Sequence, residues 1–185
     1  MFEAGSNPWT VTSSRVVYRN PWTELVEDQL VDAAGRTGMY GYLAKKDYAI
    51  ICAITDADEI LLVRQWRHAF GRSSWELPCG ACDGDAPLAA AQREFREETN
   101  YQAEQWEALS QFHNADARVA GEGHAFIARG LSIAGTDARE HSEQDLICEA
   151  VPFAEAIAAS LDGRISNVAS RYTILHCAMA LKRLG

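Results

Sequence analysis

Residues Ala86 to Thr99 constrain the fold more than any other stretch of the chain. They are rich in Ala and Glu and contain no Gly, and Pro87 sits in the first turn, where its missing N–H is no loss. Leu88, Ala91 and Phe95 recur at spacings of three and four, so one face of a helix is apolar and needs a surface to cover. The neighbouring segments read differently. Ala49 to Thr55 and Glu59 to Arg64 are β-branched and apolar, with the turn Asp56-Ala57-Asp58 between them. A helix set among strands predicts an α/β (α+β) domain with a mixed sheet.

The rest of the chain fits that plan. Arg15 to Tyr18 and Thr23 to Leu30 read as strands split by Asn20-Pro21, and Thr37 to Ala44 returns as a hairpin after the turn at Asp32 to Gly35. Gly71 to Asp85 reads as irregular. Tyr101 to Ala108 and His124 to Arg129 read as strands around a polar loop, Gln111 to Gly123. Pro152 to Leu161 and Asn167 to Leu184 read as closing helices.

At 185 residues, 48% apolar and 23% charged, the chain has the composition of one soluble globular domain. A net charge of −9 excludes general nucleic-acid binding, which needs clustered Lys and Arg. No apolar run approaches the ~20 residues of a membrane span, and the segment around Glu3 lacks the basic start of a signal peptide. Neither nucleic acid nor membrane is therefore an expected partner. Five cysteines, an odd and sparse set, fit a reducing cytoplasm. Cys79-Gly80-Ala81-Cys82 has no second pair to complete a zinc site, and the helix starts too far downstream for a thioredoxin-like motif.

Glu94, Glu97 and Glu98 stand at i, i+3 and i+4, so on a helix they share one face with Cβ atoms ~5–6 Å apart. Like charges that close repel, and the arrangement makes sense if something positive sits among them. All-oxygen donors of this kind suit hard cations such as Mg²⁺ or Mn²⁺. The competing reading is a solvated acidic helix face, and the triplet alone leaves both open.

The surroundings of the triplet resemble the Nudix box. Asp85, Arg93, Glu94, Phe95, Glu97, Glu98 and Tyr101 fall on its positions, with seven residues between Asp85 and Arg93. There are three departures. Asp85 stands where the family has Glu. Asn100 replaces a Gly, and Asn is the next best residue for a left-handed helix cap. The loop from Gly80 to Asp85 is one residue shorter than the family's. Arg64-Gln65-Trp66-Arg67 and Trp75-Glu76-Leu77-Pro78 look like the stretch ahead of the box in ADP-ribose and nucleoside-diphosphate-sugar pyrophosphatases. Asn20-Pro21-Trp22 and the hairpin are similar to that subgroup's N-terminal β domain. The resemblance therefore implies a Nudix-type α/β/α sandwich over residues 46–185 and a β extension over residues 1–45 that dimerises.

It also implies an activity: divalent-metal-dependent hydrolysis of ADP-ribose or a related nucleoside diphosphate sugar to a nucleoside monophosphate and a sugar phosphate. Divalent ions must bridge the carboxylates and an anionic diphosphate. By family position Glu94, Glu97 and Glu98 ligate the metal, the main-chain carbonyl of Cys79 adds a ligand, and Asp85 and Arg93 orient the ligands. Glu122, at the position of the subgroup's loop acid, is the candidate base, with Glu97 as the alternative and His113 and His124 behind them. Arg67 offers a planar fork to the diphosphate. Trp22 either stacks on a nucleobase or pins the hairpin to the core. A GDP-mannose-type hydrolase and a nucleotide-sensing Nudix domain are the alternatives, and the retained glutamates disfavour the second.

Overall fold

The computed structural model describes residues 5–115, 118–135 and 146–184. The chain divides into two compact units. One runs to Lys45 and takes in Ala115–Gly121; the other comprises Lys46–Asn114 and Glu122 onward.

The first unit is an antiparallel meander of β1 (Trp9–Arg19), β2 (Glu24–Asp32) and β3 (Thr37–Leu43). Its turns are set by side chains that mimic the backbone. Asn20 Oδ1 accepts from the N–H groups of Trp22 and Thr23 at 2.9 and 2.7 Å, and Asp32 Oδ1 accepts from Ala34 and Arg36, both at 2.9 Å. The Arg36 N–H and guanidinium, opposed by slight desolvation, hold the Asp32 carboxyl below its ordinary pKa. Among the described residues of this unit only Val26 is buried, and every residue of β1 is exposed. A meander of this kind has almost no core of its own.

The second unit is built around β4 (Tyr48–Ala53), which is apolar on both faces. Successive side chains alternate, so Ile50 and Cys52 enter one core with Phe153, Ala156, Ile174 and Cys177, while Ala49, Ile51 and Ala53 enter another with Ala90, Ala91 and Phe95. The first group belongs to α2 (Phe153–Asp162) and α3 (Val168–Ala180), the second to α1 (Pro87–Thr99). Helices thus cover both faces, as an α/β/α sandwich requires. Beside β4 run β9 (Val119–Ile133) in parallel and β7 (Cys79–Ala81) antiparallel; β8 (Tyr101–Ala115) pairs with β9. A second sheet orders β10 (Ile147–Pro152), β5 (Glu59–Arg67) and β6 (Arg72–Glu76). No helix among the described residues is long and apolar enough to cross a membrane.

Two sequence expectations are corrected. Gly71 to Asp85 is not irregular throughout, because it holds β6 and β7. Gln111 to Gly123 is not a loop, because β8 and β9 run far into it, and Glu122 therefore lies on a strand. A Cβ on Gly123 would lie 2.6 Å from Phe112 Cζ and 2.7 Å from Tyr48 Oη. Gly123 is a strand glycine that lets two aromatic rings approach the backbone. Asn100 ends α1 at φ 60°, the left-handed cap anticipated for it.

Candidate active site

The carboxylate helix faces a short strand, and the strand is fixed residue by residue. Glu76 is 4% exposed and takes a forked ion pair from Arg67, with Nε to Oε1 at 3.0 Å and Nη2 to Oε2 at 2.7 Å. The Leu77 N–H donates to Ser170 Oγ of α3 at 2.9 Å. The Pro78 carbonyl accepts from the Ile51 N–H of β4 at 2.9 Å. The Cys79 N–H donates to Glu98 Oε2 at 2.9 Å. Gly80 lies under Glu94, whose carboxyl group occupies the space a Cβ would take. The Ala81 carbonyl accepts from Arg93 Nη2 at 2.8 Å.

Arg93 is the local countercharge. Its Nη1 donates to Glu94 Oε1 at 2.6 Å and to Glu97 Oε2 at 3.1 Å, and its Nε lies 3.8 Å from Asp85 Oδ2. Desolvation works against its charge, but the hydrogen bond and field of Glu94 and the field of Glu97 outweigh it and raise the guanidinium pKa. The carboxylates are graded in access to water. Glu98 is 5% exposed, while the side chains of Glu94 and Glu97 are 13% and 24% exposed. Burial, with the fields of Glu98 and Glu76, pushes the Cys79 thiol far up, so this sulfur stays protonated. No disulfide joins any of the five cysteines.

The structure thus brings Asp85, Arg93, Glu94, Glu97, Glu98 and Cys79 together. Arg67 joins them through Glu76, and its pKa is raised by that hydrogen bond, against desolvation, with a further contribution from Glu98. The sequence reading gave no role to Glu76 or Ser170. Glu122 has different company: its N–H donates to Asp47 Oδ1 at 2.8 Å, and its carboxylate meets Gln111 and, at 3.2 Å, His113 Nε2. His124 stands opposite Ala49 in the β4–β9 register. Trp22 is 86% exposed in the β1–β2 turn.

Among the described residues no three His, Cys, Asp or Glu side chains already converge as an ion cage. Arg93 engages Glu94 and Glu97, and Glu98 is turned to the Cys79 amide. The donor chemistry nonetheless fits a hard divalent cation. The donors are carboxylate and carbonyl oxygens, held over a residue with no side chain, with a single Arg against three Glu and one Asp.

Known proteins resemble this chain in sequence and in fold. The NUDIX domain matches residues 45–168, and the nucleoside diphosphate sugar hydrolase N-terminal domain matches residues 9–43. The ADP-ribose pyrophosphatase of Mycobacterium tuberculosis (strain ATCC 25618 / H37Rv) is 37% identical over 119 residues, covering 63% of this chain and 58% of that protein. The ADP-ribose pyrophosphatase of Bacillus subtilis (strain 168) is 30% identical over 122 residues, covering 65% of this chain and 62% of that protein. The matched region thus spans less than two thirds of either relative. The crystal structure of an ADP compounds hydrolase shares the fold, with a TM-score of 0.80 at 16% identity, over 98% of this chain and 100% of that one. With the domain match covering well over half of its length, this chain belongs to the Nudix family.

Proposed function

We propose that the chain hydrolyses the diphosphate linkage of ADP-ribose or a related nucleoside diphosphate sugar, releasing a nucleoside monophosphate and a sugar phosphate. The observation that carries this reading is the set of three carboxylates gathered with Arg93 over the Cys79–Ala81 strand. The match of residues 9–43 to a nucleoside diphosphate sugar hydrolase N-terminal domain, and the names of the relatives, favour a nucleotide sugar over other diphosphates. Five cysteines with no disulfide among them suit a cytoplasmic enzyme.

Glu94, Glu97, Glu98 and the Cys79 carbonyl would hold Mg²⁺ or Mn²⁺. Such a cation neutralises charge on the phosphoryl oxygens and polarises water. Glu97, the most open of the three carboxylates, is the base we favour. It takes the proton as water oxygen bonds to phosphorus and the bridging P–O bond breaks. Glu122 is second, because its described partners are His113 and Gln111 rather than the helix carboxylates. Arg93 and Asp85 hold the ligands in orientation. Arg67 faces the diphosphate with the guanidinium edge that Glu76 does not use, and Trp22 offers an open ring for stacking on a base. We further propose a homodimer in which a second copy covers β1, where Val11, Val16, Val17 and Tyr18 are exposed.

The test is product release from ADP-ribose, GDP-mannose, UDP-glucose, diadenosine polyphosphates and nucleoside triphosphates, with Mg²⁺ and then with EDTA. Metal-dependent AMP release from ADP-ribose is expected, and faster turnover of GDP-mannose would move the substrate. No turnover on any of them would refute the hydrolase reading.

A further inference from the structure

Arg67 and Arg72 stand directly opposite each other across the β5–β6 hairpin. Like charges in that position destabilise a strand pair. Arg67 has its counterion in Glu76. Arg72 is exposed, and no acidic side chain among the described residues is ion-paired with it. The imbalance continues along the hairpin. Residues 60–75 hold Arg64, Arg67, His68 and Arg72 and no Asp or Glu, in a chain of net charge −9. Arg64 is spent elsewhere, stacked 5.5 Å from the ring centroid of Trp75. The hairpin runs straight into the segment Glu76–Ala81, which leads into β7 opposite the carboxylate helix.

A diphosphate approaching three glutamates is repelled until its charge is met. A guanidinium opposite Arg67, which itself is paired with Glu76 ahead of the carboxylate-facing strand, offsets that repulsion at distances where solvent screening still matters. Resting on the diphosphate-hydrolase reading above, we propose that Arg72 draws the anionic diphosphate of the substrate toward the site by its charge, so that it sets affinity rather than turnover.

The experiment compares Arg72→Gln and Arg72→Lys with the wild type on ADP-ribose, from about 0.02 to about 0.5 M salt, where the Debye length falls from ~20 to ~4 Å. Arg72→Gln is expected to raise KM about 3–10-fold at low salt and leave kcat unchanged, with the difference closing at high salt. Arg72→Lys is expected to match the wild type, because a field needs only the charge. An unchanged KM at low salt overturns the proposal. So does a rise in KM that persists at high salt, or one that Lys does not restore. Calorimetric titration with ADP and Mg²⁺ over the same salt range separates this inference from the activity. A wild type that turns over no nucleotide sugar refutes the hydrolase reading, while salt-dependent weakening of ADP binding in Arg72→Gln still supports the role of Arg72. Equal ADP binding by both proteins overturns that role, and no ADP binding by the wild type overturns it as well.

Discussion

Gly80→Ala should separate activity from stability. The added Cβ would overlap Glu94 Cδ and both of its carboxylate oxygens, so the Glu94 side chain must leave. The backbone has little reason to object, since Gly80 does not use the left-handed conformation that favours glycine. Two stability terms then oppose each other. Breaking the 2.6 Å ion pair from Arg93 to Glu94, discounted for the partly solvated Arg93, costs about 0.2–1 kcal/mol. Restricting the unfolded chain by exchanging Gly for Ala returns about 0.4–1 kcal/mol. The net is within about 1 kcal/mol, a Tm change of no more than about 4 °C for a domain of this size. The site has no such compensation. Displacing one carboxylate by an ångström or more should lower kcat/KM on the order of 10²-fold, about 2.7 kcal/mol of transition-state stabilisation. Mn²⁺ affinity, read from the paramagnetic resonance of the free ion, should weaken about 10–100-fold. The assays are a thermal melt, Mn²⁺ titration and AMP release from ADP-ribose. Turnover within about twofold of wild type would show that the place of Glu94 over Gly80 is immaterial to the chemistry. Activity lost together with a Tm drop beyond about 10 °C would mean that the strand cannot accept a Cβ and that the loss is unfolding.

Other substitutions probe the remaining contacts. Glu98→Gln keeps an oxygen to accept from the Cys79 N–H, and Glu97 is on the open side of the cluster, so Glu97→Gln and Glu98→Gln should each keep Tm within about 4 °C of wild type. Turnover should fall by several orders of magnitude in both, and near-native turnover in either would remove that residue from the metal set. Glu122→Gln should lower kcat less than about tenfold, against the 10²–10⁴-fold typical of a general base; a larger loss than that of Glu97→Gln would make Glu122 the base. Arg67→Ala strands a buried Glu76, and urea unfolding should show a loss of about 1–3 kcal/mol, discounted because Arg67 is partly solvated; an unchanged midpoint would refute the pairing. Because burial raises the Cys79 thiol pKa, the thiolate is scarce at pH 8, and a thiol reagent followed by peptide mapping should label Cys79 only after unfolding; native labelling at that pH would contradict the placement.

What could be read from the sequence was what is written locally. Helix α1 announces itself through Pro87, the spacing of Leu88, Ala91 and Phe95, and the absence of Gly, and it appears within a residue of its expected start. The meander is legible because Asn20 and Asp32 carry their own turns. Strand β7 was not legible, since three residues that follow a Pro and include a Gly show no period. They become a strand only by pairing with β4. Nor were the far ends of β8 and β9, where polar side chains and glycines conceal an extended pair. Gly123 looked like loop punctuation because the rings it accommodates, Tyr48 and Phe112, lie far away in sequence. The role of Arg67 was half legible: its fork was expected to meet an anion, and the anion it meets in the structure is Glu76.

The division of labour in the site explains why its helix is readable and its geometry is not. The helix supplies charge, and the i, i+3, i+4 spacing is enough to put that charge on one face. The segment leading into β7 supplies position, and nothing in Glu76–Ala81 does so alone. Its six residues are held by Arg67 of β5, Ser170 of α3, Ile51 of β4, and Glu98, Glu94 and Arg93 of α1. The anchors come from four separate elements, β5, α3, β4 and α1, and two of the anchoring side chains, Glu94 and Glu98, are themselves proposed metal ligands. The carboxylates are therefore placed by the same contacts that place the strand. Weakening a distant anchor such as Ser170 must act on the Cys79 carbonyl before it acts on any charge, whereas changing a glutamate alters charge first and leaves the strand largely where it was.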